Sequence, residues 1–384
     1  MPKKKPFEPS LQFDSYRRWL SLLLQADTSK AGSIPAGLDC NQFIQLCEHE
    51  GITPLLSHQI SQQLSQPNTN IQIPDAWQNE LSTLSKQYVA TQLIKQREIH
   101  KLITAFNQNG LDYILLKGEA LSISCYPQAY LRTRCDTDFI FKDKQEAENA
   151  WTLLQAQGYA RLPTMEGEFV GYQFPCQKTL AMGVVNTLDI HHKITNAQWF
   201  TQQLEYPELK DNSVTIEYGN QHTLALSPLY ALIHACIHRT TNVSNQMENR
   251  LIWLYDIHLL SQKLTATDWE KLLLIAKEKD FSQLLLQGLT ITKKTFNSPI
   301  QEETLAALQQ QAKNQSTPHT AGSRRLTSYY NNVMRLEGGK QRWQYIRETL
   351  FPPAAYVAEK YHVKNNALIL WYYVKRIIDV VIKR

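Results

Sequence analysis

The stretch that most constrains how this chain can fold is Tyr113–Phe141, YILLKGEALSISCYPQAYLRTRCDTDFIF. It reads as a strand, a Lys117-Gly118 turn, a short helix broken by Pro127, a loop with Arg132 and Arg134, and a second strand opening on Asp136-Thr137-Asp138. Side chains alternate along a strand, so Asp136 and Asp138 share one face and Thr137 takes the other. Phe139, Ile140 and Phe141 follow at once. Two carboxylates side by side at the head of an apolar strand repel each other, at a cost unless a cation sits between them. Mg²⁺ suits such a place, being a hard ion that takes carboxylate oxygens and substrate phosphates. The same spacing recurs at Glu48/Glu50, Glu146/Glu148, Glu166/Glu168 and Glu278/Asp280, in polar or helix-like settings that read as solvated faces. Only Asp136/Asp138 begins a β-branched and aromatic run. Gly118 allows a tight turn and a close backbone approach to a ligand. A helix starting at Glu119 offers free amides at its N-terminus, a ready anion site.

Length and composition set the frame for that core. A chain of 384 residues is long for one domain, and at 43% hydrophobic and 20% charged it can bury a sizeable core. A net charge of +5 suits an anionic ligand and falls well short of a committed nucleic-acid binder. The six cysteines are widely spaced with no Cys-x-x-Cys, so neither a zinc site nor a disulfide framework is indicated, and they read as reduced thiols in a cytoplasmic protein. The basic start, MPKKKPFEPS, has no apolar run behind it and is not a secretory signal. No apolar run is long enough to span a membrane.

In chain order, the first hundred residues read as helices: 11–25, one capped by Asp39 or Asn41 and ended by Gly51, 52–64, and a long one from Asp75 to about Asn107 after a 67–74 linker. Strand 111–116, strand 136–141 and helix 144–157 follow, then strands at 159–162, 168–174 and 179–192. From Ser227-Pro228 onward the pattern is helical, with Asp268 expected to cap a helix running to about Lys279. This gives an α+β chain in three regions: N-terminal helices over 1–108, a core over 109–222 with a small mixed sheet and helices on one side, and C-terminal helices over 223–384. The final segment, 367–384, is amphipathic with Lys375, Arg376, Lys383 and Arg384 interspersed. It reads as a packed C-terminal helix, with a membrane-surface helix as the other reading.

Leu116-Lys117-Gly118, Leu131-Arg132, Asp136-Thr137-Asp138-Phe139-Ile140 and, on a later strand, Leu188-Asp189-Ile190-His191 together resemble the uncharacterised nucleotidyltransferase family of the DNA polymerase β-like superfamily. The resemblance runs over most of the chain. One departure is plain: the wider superfamily has Gly-Ser or Gly-Gly where this chain has Lys117-Gly118, and the gap to the first aspartate is longer here. The resemblance implies a polymerase β-like core and transfer of a nucleoside monophosphate from an NTP, with ATP the expected one, to an acceptor with release of pyrophosphate. It implies Asp136, Asp138 and Asp189 as the catalytic carboxylates holding two Mg²⁺ or Mn²⁺ ions. Lys117, Gly118, Arg132 and Arg134 are then the candidates for the triphosphate, Lys117 as a point charge and Arg132 as a planar fork.

Blander readings stand beside each of these. Asp189 also reads as an ordinary strand-edge aspartate, and the basic residues as partners that neutralise carboxylates. His191 shares a face with Asp189, where it could orient an acceptor or serve structure alone. His234 and His238, four apart on a helix, could line the acceptor side or a zinc site, but no third ligand follows, and packing is the plainer reading. Cys135 reads as a small filler. The acceptor reads as a small molecule or a protein rather than RNA. The alternative function is a non-catalytic relative that binds a nucleotide or a partner protein.

Overall fold

The computed structural model describes residues 13–25, 32–65, 73–242, 247–315, 325–363 and 365–382. The expected tail at 1–10, most of the 67–74 linker and most of the polar 315–325 loop lie outside them. Four helices come first: α1 (Phe13–Leu23), α2 (Cys40–Glu50), α3 (Thr53–Leu64) and the long α4 (Asp75–Gln108). Strand β1 (Tyr113–Leu116), α5 (Lys117–Ser124), β2 (Asp136–Phe141) and α6 (Lys144–Ala156) form the next run. Strands β3 (Ala160–Arg161), β4 (Gln173–Thr179) and β5 (Val185–His191) follow, then the short helices α7 (Gln198–Gln203) and α8 (Tyr206–Asp211). A hairpin of β6 (Ser213–Tyr218) and β7 (Gln221–Leu226) leads into α9 (Pro228–Thr241), α10 (Leu251–Lys263), α11 (Ala266–Glu278), α12 (Ser282–Phe296) and α13 (Glu302–Ala312). The chain ends in α14 (Arg325–Arg335), α15 (Gly338–Leu350), α16 (Ala354–Lys360) and α17 (Ile369–Ile382).

The chain divides into two compact units, each assembled from three separate stretches. One takes Met1–Gln96, Leu121–Arg134 and Ala231–Asn314 and is helical. Its core gathers Trp19, Leu20 and Leu23 of α1, Phe43 and Leu46 of α2, Leu55 and Leu56 of α3 and Leu251, Ile252 and Leu254 of α10. Asp39 caps α2 by accepting from the Gln42 amide, Gln42 reciprocates, and Gly51 closes the helix with φ 72°. In α11 the cap is Thr265, and Asp268 sits three residues inside as its reciprocal partner. The expected cap at Asp268 is thus displaced by one turn: Thr265-x-x-Asp268 is a capping box, in which the acid answers the hydroxyl.

The other unit takes Arg97–Ala120, Cys135–Tyr230 and Gln315–Arg384 and holds the sheet. Seven strands lie in the order β3-β4-β5-β2-β1-β7-β6. The β2–β5 and β1–β7 pairs are parallel and the rest antiparallel, so the sheet is mixed. One face is covered by helices. Phe106 of α4 packs edge-on against Tyr113, Phe139 and Phe141. Trp151 of α6 meets Phe174 on that face. Glu119 of α5 accepts from Thr137 (3.3 Å) and from the Tyr218 hydroxyl (2.6 Å). Alternation leaves the opposite face to Asp136, Asp138, Asp189 and His191.

Three sheet boundaries differ from the sequence reading. The strand expected over 168–174 runs over 173–179 instead. Pro175, which lacks a donor and argues against a strand interior, sits where it needs to give only its carbonyl, to Leu162. The expected 179–192 strand is broken by a turn through Met182 (φ 58°) and Gly183 (φ 72°) before β5 begins. The β6–β7 hairpin had no expectation at all, although its alternating SVTIEY and the Gly219-Asn220 turn carry a hairpin signal.

Candidate active site

Parallel pairing of β2 with β5 sets Asp138 directly beside Asp189 and Asp136 beside Thr187. Two residues further, His191 lies beside Ile140. Ligand atoms of Asp138, Asp189 and His191 all fall within 4.8 Å of one another. Asp136 shares their face at the exposed head of β2. The sequence pairs Asp136 with Asp138; the register adds the closer neighbour, Asp189, which spacing along one strand cannot reveal.

Lys117 supplies the positive charge. Its Nζ donates to Asp138 Oδ1 at 2.6 Å, and His191 Nε2 lies 3.0 Å from the same oxygen. Lys117 reaches this place from a left-handed backbone, φ 50°. That conformation costs a side-chain-bearing residue roughly 1–2 kcal/mol and is usual only for glycine. The expected site of the tight turn was Gly118. The positive φ falls on Lys117 instead, while Gly118 continues α5.

The charges sort the carboxyls. Burial alone would push the Asp138 carboxyl up, but the Lys117 ammonium and the His191 hydrogen bond outweigh it and hold it well below the usual range. Asp136 is raised to about 6, first by the partial loss of solvent around its oxygens and then by repulsion from Asp138 and Asp189, against Lys117. Asp189 is raised too, by burial and by Asp138. Burial would lower the Lys117 pKa; Asp138, Asp136 and Asp189 together raise it. Three carboxyls thus face one ammonium, and two of them hold protons more tightly than normal because negative charge is in excess. A donor set of carboxylate oxygens and an imidazole under that excess fits a divalent cation.

Two residues that sequence reading missed adjoin the cluster. Gln173, opposite His191 on β4, hydrogen-bonds the Asp189 carboxyl. The Tyr172 ring lies 5.8 Å from that of His191, and its hydroxyl feels Lys117, Asp189 and Asp138. No sequence pattern flags either, because β4 was expected to end where Gln173 and Phe174 in fact begin it.

Arg132, Arg134, His234 and His238 belong to the helical unit. Arg132, in the helical unit, is buried and forks onto Asp256 of α10, Nε to Oδ1 at 2.9 Å and Nη2 to Oδ2 at 2.7 Å. Tyr126 donates to the same carboxylate at 2.7 Å. Arg134 donates to the Ala129 carbonyl (2.8 Å), bracing the loop it stands on. His234 is buried in α9, and the His238 ring meets Trp253 edge-on at 4.6 Å. Among the described residues, the group of potential metal ligands includes neither histidine. His258 Nδ1 lies 2.8 Å from Ser298 Oγ, and burial lowers its pKa to about 4.

A search of curated proteins finds no match to the chain. Among solved structures, the crystal structure of an antigenic nucleotidyltransferase-like protein from Paracoccidioides brasiliensis aligns at 15% identity, over 50% of this chain and 92% of that one, with a TM-score of 0.34. A likeness of that degree carries no argument about function. The model of a family described as uncharacterised nucleotidyltransferase matches residues 36–297, well over half of the chain. That span includes β1, β2, β5 and every residue of the acidic cluster, and the chain belongs to this uncharacterised nucleotidyltransferase family.

Proposed function

We propose that the chain moves a nucleoside monophosphate from an NTP, with ATP the favoured donor, to an acceptor, releasing pyrophosphate. The observation that carries this reading is the register that seats Asp138 beside Asp189, with Asp136 on the same face. A purely structural sheet has no use for three carboxyls gathered against one lysine. Asp136, Asp138 and Asp189 would hold Mg²⁺ or Mn²⁺, two ions with NTP bound, which supply charge neutralisation and Lewis-acid polarisation at the phosphates.

The chain's own groups do the rest. Lys117 gives a positive charge at the edge of the cluster to the triphosphate. Gly118 puts no side chain in the first turn of α5, so a phosphate can come close to the backbone there. Asp189, with its raised pKa, takes the proton from the attacking acceptor atom. That atom forms its bond to the α-phosphorus, the bond from that phosphorus to the bridging oxygen breaks, and pyrophosphate carries away the electron pair. Gln173 holds the Asp189 carboxyl in place, and His191 holds Asp138. Arg132 and Arg134 brace the loop before β2. The modest positive charge favours a small-molecule or protein acceptor over a nucleic acid.

The test is transfer itself. ATP labelled at the α-phosphate, incubated with the full chain, Mg²⁺ or Mn²⁺ and a cell extract, should yield a labelled product and pyrophosphate. Asp138→Asn should yield neither. Equal labelling by the variant would refute the assignment.

A further inference from the structure

The loop that leads into β4 closes around a carboxylate. Glu348 of α15 is buried, and its oxygens accept from three successive backbone amides: Glu168 at 3.0 Å, Phe169 at 2.9 Å and Val170 at 3.2 Å. Gln344, one turn earlier on α15, donates to the same carboxylate at 2.9 Å. Amides that converge in this way make an anion site, and the bonds are charge-assisted. Burial would raise the Glu348 pKa, but the loop amides and Gln344 outweigh it and hold the group below its usual range, so it is ionised at neutral pH. Two glycines fit the loop to it. Gly167 has φ 141°, and a Cβ there would stand 2.4 Å from the Glu348 carboxyl carbon. A Cβ on Gly171 would stand 2.5 Å from the Gly167 carbonyl oxygen. Phe169 and Val170 join Leu336 and Tyr345 in a small core beside the loop.

The next residues in the chain are Tyr172 and Gln173. The Tyr172 carbonyl accepts from the His192 and Lys193 amides at 2.9 and 3.2 Å, which ties this stretch to the end of β5. Gln173 hydrogen-bonds the Asp189 carboxyl. We propose that Glu348 is a positioning residue of the acidic cluster: by fixing the 167–171 loop it sets where β4 begins, and so where Gln173 meets Asp189. The purpose assigned to the cluster rests on the nucleotidyl-transfer reading. A hydrogen-bonded anion fixes a backbone in direction as well as distance, which the apolar packing of Phe169 and Val170 does not. Partners of this kind, one layer out, orient the groups that hold a metal. The assignment draws α15 into the site, although α15 lies outside the matched residues 36–297.

The experiment reads the cluster by NMR in the full chain with labelled histidine rings, free of metal and nucleotide. His191, assigned by the signal lost in His191→Gln, has the Tyr172 ring 5.8 Å away, so a displaced loop changes its chemical shift. Glu348→Gln keeps the side chain's size but sets an NH₂ group against the loop amides. It should move the His191 signal and leave that of His49, in the helical unit, in place. Gln344→Ala, a milder change at the same carboxylate, should move it the same way by less. Mn²⁺ titration then separates positioning from general support. Glu348→Gln should weaken Mn²⁺ affinity by roughly threefold. In a Gln173→Ala background it should weaken it no further, because the two act in series. Unmoved His191 signals in both variants, or an equal loss of Mn²⁺ affinity with and without Gln173, overturn the proposal. Because His191 is read without metal, a wild type that binds neither Mn²⁺ nor ATP refutes the nucleotidyl-transfer reading and leaves the positioning role decided by those signals.

Discussion

Lys117 Nζ lies 2.6 Å from Asp138 Oδ1, and the residue that delivers it holds a left-handed backbone to do so. The ion pair explains why one strongly acidic carboxylate can persist in the cluster while its neighbours hold protons more tightly. A divalent cation bound at the cluster would draw on the same carboxylate as Lys117.

Replacing Lys117 by methionine should therefore act in two directions. Without nucleotide, Mn²⁺ affinity should rise by roughly fivefold, the scale of about 1 kcal/mol for one charge at 4 Å in water. Triphosphate affinity should fall, and fall further than monophosphate affinity. Calorimetric titrations of Mn²⁺, ATP and AMP into the variant check both. A loss of Mn²⁺ affinity would mean that Lys117 supports the cation site rather than opposing it.

Asp138→Asn should reduce divalent-cation affinity by about tenfold or more. It should also destabilise the cation-free protein, because Asp138 accepts from both Lys117 and His191. Relief of repulsion alone would have predicted no loss of stability. Chemical denaturation in a chelating buffer separates the two effects, and an unchanged midpoint would contradict the ion-pair account.

The pH dependence follows from Asp136. Its ordinary value is 3.8 and its folded value about 6. Between those values the folded chain holds more of this proton than the unfolded chain does. Its contribution to stability is therefore present below the lower value and lost as pH rises through about 6. Asp138 works in the opposite sense, and its contribution is lost only as pH falls below the ordinary carboxylate range. In chelator, the melting temperature of wild type should carry a component that falls between about pH 4 and pH 6. Asp136→Asn should remove that component; a curve that the substitution leaves unaltered would place its origin elsewhere.

Arg132 and Asp256 form a buried pair 124 positions apart in sequence. Breaking it in Arg132→Met should cost about 3 kcal/mol, because a buried carboxylate loses its partner. Arg132→Met/Asp256→Leu should recover much of that loss. Denaturant unfolding measures both, and a single variant as stable as wild type would show the pair to be dispensable.

Much of the site could be read from local pattern because strand alternation is a local rule. It put Asp136 with Asp138, and Asp189 with His191, without any knowledge of the sheet. What it could not supply was registration between strands: that Asp138 faces Asp189, or that Gln173 faces His191. Arg132 stands close to the acidic pair in sequence and was expected to serve phosphates; only the fold reveals Asp256 as its partner. The turn was expected at Gly118 because glycine adopts left-handed backbone without cost, yet Lys117 carries it. Helices with caps, such as α2 between Asp39 and Gly51, were legible because their signals lie within a few residues. The ends of β4 and the whole β6–β7 hairpin were not. Pro175 reads against a strand interior, and the alternation of Val214 and Ile216 along β6 is short and set among polar residues.

The cation-dependent nucleotide site proposed at Asp136, Asp138 and Asp189 is tested most directly by calorimetry. ATP is titrated, with and without Mn²⁺, into wild type and into folded Asp136→Asn/Asp138→Asn. Binding should require Mn²⁺ and should be lost in the double variant. Binding that ignores both the cation and the two aspartates, or no binding to wild type under any condition, would contradict the proposal.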